Sequence, residues 1–338
     1  MGDILHALPA VTALRLAHPA WEIDWIVEPR WQALLTTGQS TGRGPEQPIV
    51  DRVYLAATKD WRHHPLAPKT THDIKALRDD LKSVPYNAVI DLQGSLRSAV
   101  LGRMAGCRRL IGEVSPRETP ARWLFTERVT THRAHVIEQD VELACAVAGD
   151  TLIAVAPILP IDTTAEAWCD AFLATSGTRP VALINPGAGW GAKRWPVERY
   201  AAVARGLIER GFRILINAGP GEEPMADVIV KETSGAAIPL ATSLEQLIAL
   251  TRRIALCVAG DTGPLHLACA LGRPVLGIYG PTDPSRNGPF GTRFRVLRSP
   301  LSRRDHTRHP EPEAGLLTIA PEDVLSAADE LLAEGSAL

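Results

Sequence analysis

Long apolar runs, charge of one sign and paired cysteines are what this sequence has least of. No stretch approaches the ~20 apolar residues that span a bilayer, so no segment reads as a membrane helix. Lys and Arg number 36 against 38 Asp and Glu, a formal net charge of −2, so nothing in the overall balance points to nucleic acid. The five cysteines, Cys107, Cys145, Cys169, Cys257 and Cys269, show no Cys-x-x-Cys spacing and read as reduced, buried thiols of a cytosolic protein. The amino terminus lacks a basic segment followed by an apolar one, so it does not read as a signal peptide. Met1-Gly2-Asp3-Ile4-Leu5-His6 also lacks the Ser or Thr of a myristoylation signal. Internal repeats are absent.

What is present is an alternation of strands and helices, which predicts an α/β architecture with parallel sheets. The 338 residues suit two domains, and 45% apolar content gives each a core. In the first half, residues 4–18, 73–82, 96–105 and 135–148 read as helices, and 22–28, 53–55, 88–92 and 109–112 as strands. Residues 151–160 carry two prolines and no helical period, 162–176 read as a helix, and 177–180 as a break. The division expected is a domain of residues 1–155, a linker of 156–178 and a domain of 179–338. In the second half, 181–185, 213–218, 238–240, 256–259 and 274–279 read as strands. Residues 197–210, 244–252, 265–271 and 321–333, with a segment from 223, read as helices. Residues 300–315, rich in Arg, His, Pro and Glu, read as a surface loop.

The most informative segment is LCVAGDTGPLHLACALGRPVLGIYGPTDP, residues 256–284. A strand, a glycine turn and a helix start form an anion site, because free backbone N–H groups and the positive end of the helix dipole converge there. Gly263 admits a ligand close to the backbone, and Thr262 adds a hydroxyl donor. Asp261 repels phosphate and is better suited to sugar hydroxyls, so the pair of features points to a nucleotide-sugar pocket. On spacing alone the same residues are equally a well-capped strand–helix turn, and His266 is either a core-edge histidine or a phosphate donor.

Other loops follow buried strands. Asn185-Pro186-Gly187-Ala188-Gly189-Trp190-Gly191-Ala192-Lys193-Arg194-Trp195-Pro196 is neither a Walker A nor a GxGxxG motif, and Lys193 is placed to neutralise a diphosphate leaving group or is a solvated lysine. Glu222, after a strand, is either a ribose-hydroxyl acceptor or a complement to a helix dipole. Thr242-Ser243 read as helix caps in a loop that could flank an adenine. In the first half, Asp3 reads as a helix cap, while Asp91, Gln93, Gly94 and Ser98 could line a cleft. Lys59, Arg62, Arg97 and Arg117 are a scattered basic set suited to carboxylates or phosphates of an acceptor.

Taken together these segments resemble glycosyltransferase family 9, the ADP-heptose:lipopolysaccharide heptosyltransferases. The match rests on residues 1–10, on Ile90-Asp91-Leu92-Gln93-Gly94 with Arg97-Ser98-Ala99, on Lys193-Arg194-Trp195-Pro196, on Gly260-Asp261-Thr262-Gly263-Pro264-Leu265-His266, and on Tyr279-Gly280-Pro281-Thr282-Asp283-Pro284. The Trp61-Arg62 region and Ser115-Pro116-Arg117-Glu118 look most like the heptosyltransferase I branch. The resemblance implies a GT-B fold, two Rossmann-like domains with parallel sheets facing a central cleft, and a last helix packing back on the first domain. It implies metal-independent, inverting transfer of L-glycero-D-manno-heptose from ADP-heptose to Kdo of the lipid A inner core, with no cofactor; the absence of an Asp-x-Asp motif fits this. By the same match Asp3 is the general base and Lys193 holds the diphosphate. Thr262, Gly263 and His266 form the pyrophosphate loop with Gly187 and Gly189 beside it. Asp261 contacts heptose, Glu222 ribose and Thr242 adenine. Lys59, Arg62, Gln93 and Arg117 bind acceptor. The expected partners are ADP-heptose and Kdo–lipid A, without nucleic acid, in a cytoplasmic protein weakly peripheral to the inner membrane face.

Two departures from the family pattern stand out. Family members have a strand before the Gly-Asp motif, so the first strand of the amino-terminal sheet is expected to be missing, leaving Asp3 on a loose terminus. Gln139 stands where an Arg is expected, which weakens a carboxylate clamp. The alternative readings are heptosyltransferase II or another GT-B transferase, and a non-catalytic nucleotide-sugar-binding protein.

Overall fold

The computed structural model describes all residues except Gln39, Thr41, Thr175, Ser176, His306, Arg308 and 335–338. The chain divides into two compact units, residues 1 and 3–161 in one and residues 2 and 162–338 in the other; Gly2 is described with the helix it opens, Gly2–Ala17.

The first unit contains α1 (Gly2–Ala17), β1 (Asp24–Val27), β2 (Arg52–Leu55), α2 (Thr58–His63), α3 (Pro68–Lys82), β3 (Val89–Ile90), α4 (Leu96–Met104), β4 (Leu110–Glu113), β5 (Glu127–Val129) and α5 (Val136–Ala148). All pairings are parallel: β1 with β2 in one sheet, β3 with β4 and β4 with β5 in another. Helix α1 is buried on every side from Leu5 to Arg15, as its near-continuous apolar sequence dictates, and carries Pro9 internally. It meets α5 through Ala10, Leu14, Val141 and Ala144. Arg15 is the one charge inside it. Its guanidinium donates to the Ile49 carbonyl at 2.7 Å, to that of Trp21 at 2.6 Å and to Asp51 Oδ2 at 2.5 Å, which ties the helix to the loops flanking β1.

The second unit contains α6 (Thr163–Ala174), β6 (Val181–Asn185), α7 (Val197–Glu209), β7 (Arg213–Asn217), α8 (Glu223–Glu232), β8 (Ile238–Leu240), α9 (Leu244–Thr251), β9 (Leu256–Gly260), α10 (Gly263–Ala270), β10 (Val275–Tyr279), α11 (Pro284–Asn287), β11 (Phe294–Arg298) and α12 (Pro321–Ala333). Six parallel strands form one sheet in the order β11-β10-β9-β6-β7-β8. Strands β6, β9 and β10 are buried at every position, so they read as unbroken apolar runs rather than alternations. Trp195 and Tyr200 meet edge to face, ring centroids 4.9 Å apart, in the core beneath the sheet. The apolar face of α12, expected against the first domain, lies in this unit's own core through Val324, Ala328 and Leu331.

Most elements fall where the sequence places them, with ends shifted by a residue or two, although α3 starts at Pro68, five residues before the expected 73. Helix α10 starts at Gly263 rather than 265, and α1 at Gly2 rather than 4, so Asp3 sits in a formed first turn and not on a loose terminus. Strand β3 is shorter than residues 88–92 because only one of its edges is paired. The helix expected over 162–176 is α6, Thr163–Ala174, and residues 175 and 176 lie outside the described residues. Elements β5, β11, α2 and α11 are not evident from the sequence: each is short, and charged residues interrupt the apolar pattern.

Removing the Arg15 guanidinium leaves the Ile49, Trp21 and Pro19 carbonyls without this donor, while Asp51 keeps Arg43 and the Ile23 N–H. The variant Arg15→Met is expected to lose about 2 kcal/mol of stability, the cost of leaving buried acceptors unsatisfied. Urea denaturation followed through the first unit's tryptophans checks this; a midpoint equal to that of the parent protein would refute it.

Candidate functional site

In a parallel sheet the loops that follow neighbouring strands emerge at the same end, and ligands settle there. In the second unit this brings together the segments after β6, β9, β10 and β7, neighbours in the sheet. After β6 the chain forms a short 3₁₀ turn, Gly191–Lys193. Its Ala192 is held from both sides, donating to the His309 carbonyl at 2.9 Å and accepting from Glu313 N–H at 3.1 Å. A Cβ at Gly191 would lie 1.6 Å from the Pro310 carbonyl oxygen, so this turn closes only with glycine. The segment read as a surface loop, residues 300–315, is thus in part a strap over the lysine turn.

The turn delivers Lys193 Nζ to Asp261 Oδ2 at 2.5 Å, with side chains 10% and 9% exposed. His266 Nε2 lies 3.0 Å from the other carboxylate oxygen. Burial by itself raises the Asp261 pKa, but the His266 hydrogen bond and the Lys193 charge outweigh it and hold the carboxyl well below its usual range. The ammonium also lies 4.5 Å from the centroid of the Trp190 ring. Asp261, expected to face a sugar, already has both oxygens engaged, one by the Lys193 ammonium and one by the His266 imidazole, so it anchors both side chains.

Helix α10 begins beside this cluster without a side-chain cap: Thr262 occupies the cap position, and its hydroxyl donates to the Gly260 carbonyl at 3.2 Å. The first-turn N–H groups of Gly263 and Leu265 therefore remain for an anion, reinforced by the helix dipole. The Thr282 hydroxyl, in the turn after β10, is buried without a hydrogen-bond partner among the described residues. On the other side, Glu222 Oε2 accepts from Gly219 N–H at 2.9 Å. A Cβ at Gly187 would come within 1.9 Å of that carboxylate, so Gly187 makes the room Glu222 occupies, whereas Gly189 has open space around it. Asn185 and Asn217, the last residues of β6 and β7, are joined at 2.7 Å. Asn217 was not singled out from sequence, though a polar residue closing an apolar strand is the available signal. Ser243, not Thr242, caps α9, which leaves the Thr242 side chain uncommitted to a cap.

In the first unit, Asp3 Oδ2 accepts from Gln93 Nε2 at 2.8 Å and from Arg117 Nη1 at 3.3 Å, while its Oδ1 has no partner among the described residues. The carboxylate is half exposed. Gly94, at φ +63°, makes the turn behind it; a Cβ there would meet Arg117 N at 2.9 Å. Asp91 supports the same turn, accepting from Gln93 and Gly94 N–H and from Ser98 Oγ, each at 2.9 Å. Burial raises the Asp91 pKa against these bonds. Lys59 and Arg62 lie on α2, whose start is tied to Glu28 through Thr58 Oγ1 and Lys59 N–H; no hydrogen bond joins them to Asp3. Arg97 joins that group instead, donating to Thr58 Oγ1 at 3.1 Å. Gln139 donates to the Arg133 carbonyl at 2.7 Å.

Residues 74–316 match the model of glycosyltransferase family 9 (heptosyltransferase), and the chain belongs to that family. It is a glycosyltransferase. Lipopolysaccharide heptosyltransferase 1 of Escherichia coli K12 is 30% identical over 319 residues, 89% of this chain and 91% of that protein. The Pseudomonas aeruginosa lipopolysaccharide heptosyltransferase 1 is 28% identical over 301 residues, 86% of this chain and 79% of that one. Among solved structures, E. coli heptosyltransferase WaaC with ADP aligns with TM-score 0.78 at 27% identity, covering 98% of this chain and 97% of that one. The parallel-sheet α/β fold is that of the GT-B heptosyltransferases.

Asp261→Asn removes the charge that the buried Lys193 ammonium faces and weakens the contact with His266 Nε2. It is expected to destabilise the second unit by about 3 kcal/mol near neutral pH, read by urea unfolding. Because the folded pKa is depressed, this contribution is fully present above the ordinary carboxylate value and declines progressively as pH falls from about 4 towards the much lower folded pKa, so the gap between variant and parent narrows over that range. Equal midpoints at pH 7 would show that the cluster does not organise this end of the sheet.

Proposed function

We propose that this enzyme transfers L-glycero-D-manno-heptose from ADP-heptose to Kdo of Kdo–lipid A, the first heptose step of the lipopolysaccharide inner core. The observation that carries the reading is the Lys193–Asp261–His266 cluster beside the uncapped start of α10. It is supported by the likeness to heptosyltransferase 1 proteins and to WaaC solved with ADP and with ADP-2-deoxy-2-fluoro heptose. The donor binds on the second unit. Its diphosphate meets the Gly263 and Leu265 amides and Lys193, the ribose meets Glu222, and the adenine lies by Thr242. The acceptor binds on the first unit at Asp3, Gln93 and Arg117, with Lys59 and Arg62 contributing charge.

In this reading Asp3 takes the proton of the acceptor hydroxyl as that oxygen attacks the anomeric carbon and ADP departs with the bonding electrons, inverting the centre. Gln93 and Arg117 fix one carboxylate oxygen and leave the other for the proton. Positive charge for the departing ADP comes from Lys193 and the α10 amides, with no metal or cofactor required. Among the described residues no helix is long and apolar enough to cross a membrane, and a lipid-linked acceptor is reached by weak peripheral contact with the inner face of the cytoplasmic membrane.

Asp3→Asn is expected to lower turnover about a thousandfold, within the range for general bases, with ADP affinity unchanged. Equal loss of both would contradict the assignment. Lys193→Ala is expected to cost about a hundredfold in turnover, as when one charge-stabilising donor is removed. Assays with ADP-heptose beside UDP-sugars test the donor. Binding of ADP with no transfer to a Kdo-bearing acceptor would replace the transferase reading with a binding protein.

A further inference from the structure

Helix α4 carries apolar residues on both its inward and its outward side, whereas a surface helix ordinarily turns polar residues to the solvent. The inward side is made of Ala99 and Gly102, small enough for the helix to lie close on the sheet: a Cβ at Gly102 would come within 2.9 Å of Leu110 of β4. Outward, Leu96, Val100 and Arg103 follow at spacings of four and three, so they form one stripe. Leu96 is 42% and Val100 47% exposed. The 3₁₀ turn Thr119–Trp123 lies alongside. Its Ala121 shares a buried cluster with Ala99, and Glu118, at its cap position, accepts from Leu96 N–H at 2.9 Å. The turn ends in Trp123, 72% exposed.

The same stretch of chain is basic. Residues 94–133 contain eight Arg and three Glu, with no Lys or Asp, in a chain whose net charge is −2. All three carboxylates are engaged: Glu113 by Thr131 Oγ1 at 2.7 Å, Glu118 by Leu96 N–H, and Glu127 by Arg109 at 2.7 Å. Arg97 and Arg117 reach Glu28 and Asp3. Arg103, Arg108, Arg122, Arg128 and Arg133 form no ion pair among the described residues. Exposed aliphatic side chains, a tryptophan and guanidiniums without counter-ions are the combination that seats in the headgroup region of an anionic bilayer. The stripe also begins at the candidate base. Gln93, three residues before Leu96, and Arg117, next to Glu118, are the two groups that hold Asp3.

We propose that the face formed by Leu96, Val100 and Trp123, with Arg103 and with Arg108 in the loop after α4, docks this unit on a bilayer containing anionic phospholipid. The apolar side chains enter the interface and the guanidiniums meet lipid phosphates. An acceptor sugar standing at headgroup level then reaches Asp3 while its acyl chains stay in the bilayer. The choice of a lipid surface over another partner rests on the reading above that Asp3 meets a lipid-linked acceptor.

The test is co-sedimentation of the full chain with vesicles of phosphatidylcholine alone and of phosphatidylcholine with about one-third phosphatidylglycerol. The parent is expected to partition about tenfold or more into the anionic vesicles, and less as salt rises. Two paired variants, Val100→Gln with Trp123→Gln and Arg103→Gln with Arg108→Gln, are each expected to weaken that partitioning about tenfold at an unchanged thermal midpoint. Leu301→Gln, at a residue of the second unit that is 73% exposed, is expected to leave it as it is. Transfer to a deacylated, soluble Kdo acceptor is expected to stay at the parental rate in both pairs. Equal binding to the two vesicle types, parental partitioning in both pairs, or an equal loss in Leu301→Gln would overturn the proposal. A parallel loss of transfer to the soluble acceptor would make the face part of the acceptor site and overturn it too, as would self-association that the paired variants abolish without any vesicle binding. The expected vesicle pattern in a parent that transfers no heptose would refute the function proposed above and support the docking surface.

Discussion

A carboxylate with almost no exposure to water, satisfied by an ammonium on one oxygen and an imidazole on the other, sets the geometry of the second unit's ligand end. Asp261 closes β9, Lys193 comes from the turn after β6, and His266 from the first turns of α10. Desolvation nearly cancels the attraction in such buried pairs, so the contact contributes little net stability, yet deleting one member costs several kcal/mol. Its physical effect is therefore registry: it fixes where a mobile lysine ends, with the strap at His309 and Glu313 holding the backbone on either side. The cluster carries little net charge of its own. The field an anion meets is that of the α10 amides, with Lys193 available to share its protons between Asp261 and a second acceptor.

Asp3 is in the opposite situation. It is half exposed, accepts from an amide and a guanidinium through one oxygen, and offers the other. Two aspartates in one chain thus stand in opposite environments. Asp261 is enclosed, with Lys193 on one oxygen and His266 on the other, while Asp3 is half exposed with both of its partners on one oxygen. The resemblance assigns both to substrate contacts. The partners each carboxylate already has differ, and with them what each has left to give.

Much of this was legible because the motifs sit on buried strands. Strands β6, β9 and β10 are unbroken apolar runs, and the glycines and polar residues after them mark the ligand end of the sheet. The loops at 187–193 and 260–266 were each recognisable as anion-competent. Their mutual contact was not, since Lys193 and Asp261 are 68 positions apart and nothing local encodes the pairing. Residues 300–315 are the irregular, largely exposed segment the sequence suggests, but their hold on the lysine turn was not legible, since it is carried by backbone groups at His309 and Glu313. Edge elements such as β5 and β11 escape because partial exposure admits Glu and Arg into their sequences, which erases the period on which strand recognition rests.

The placement of Asp3 depends on what holds α1. That helix is buried around its whole circumference between Leu5 and Arg15, yet its sheet-facing side borders a cavity rather than a strand. Its apolar restraint comes from α5, through Ala10 and Leu14 against Val141 and Ala144, and its ends are held by polar contacts: Arg15 on the Ile49 and Trp21 carbonyls and on Asp51, Gln93 and Arg117 on Asp3. Contacts at the ends of a helix fix its tilt less firmly than a continuous packed face, since a void on one side removes the opposing atoms that resist displacement. A shift of about 1 Å in a catalytic group costs on the order of a hundredfold in rate. The position of the Asp3 carboxylate is thus coupled to how firmly α1, the helix that carries it, is packed along its length.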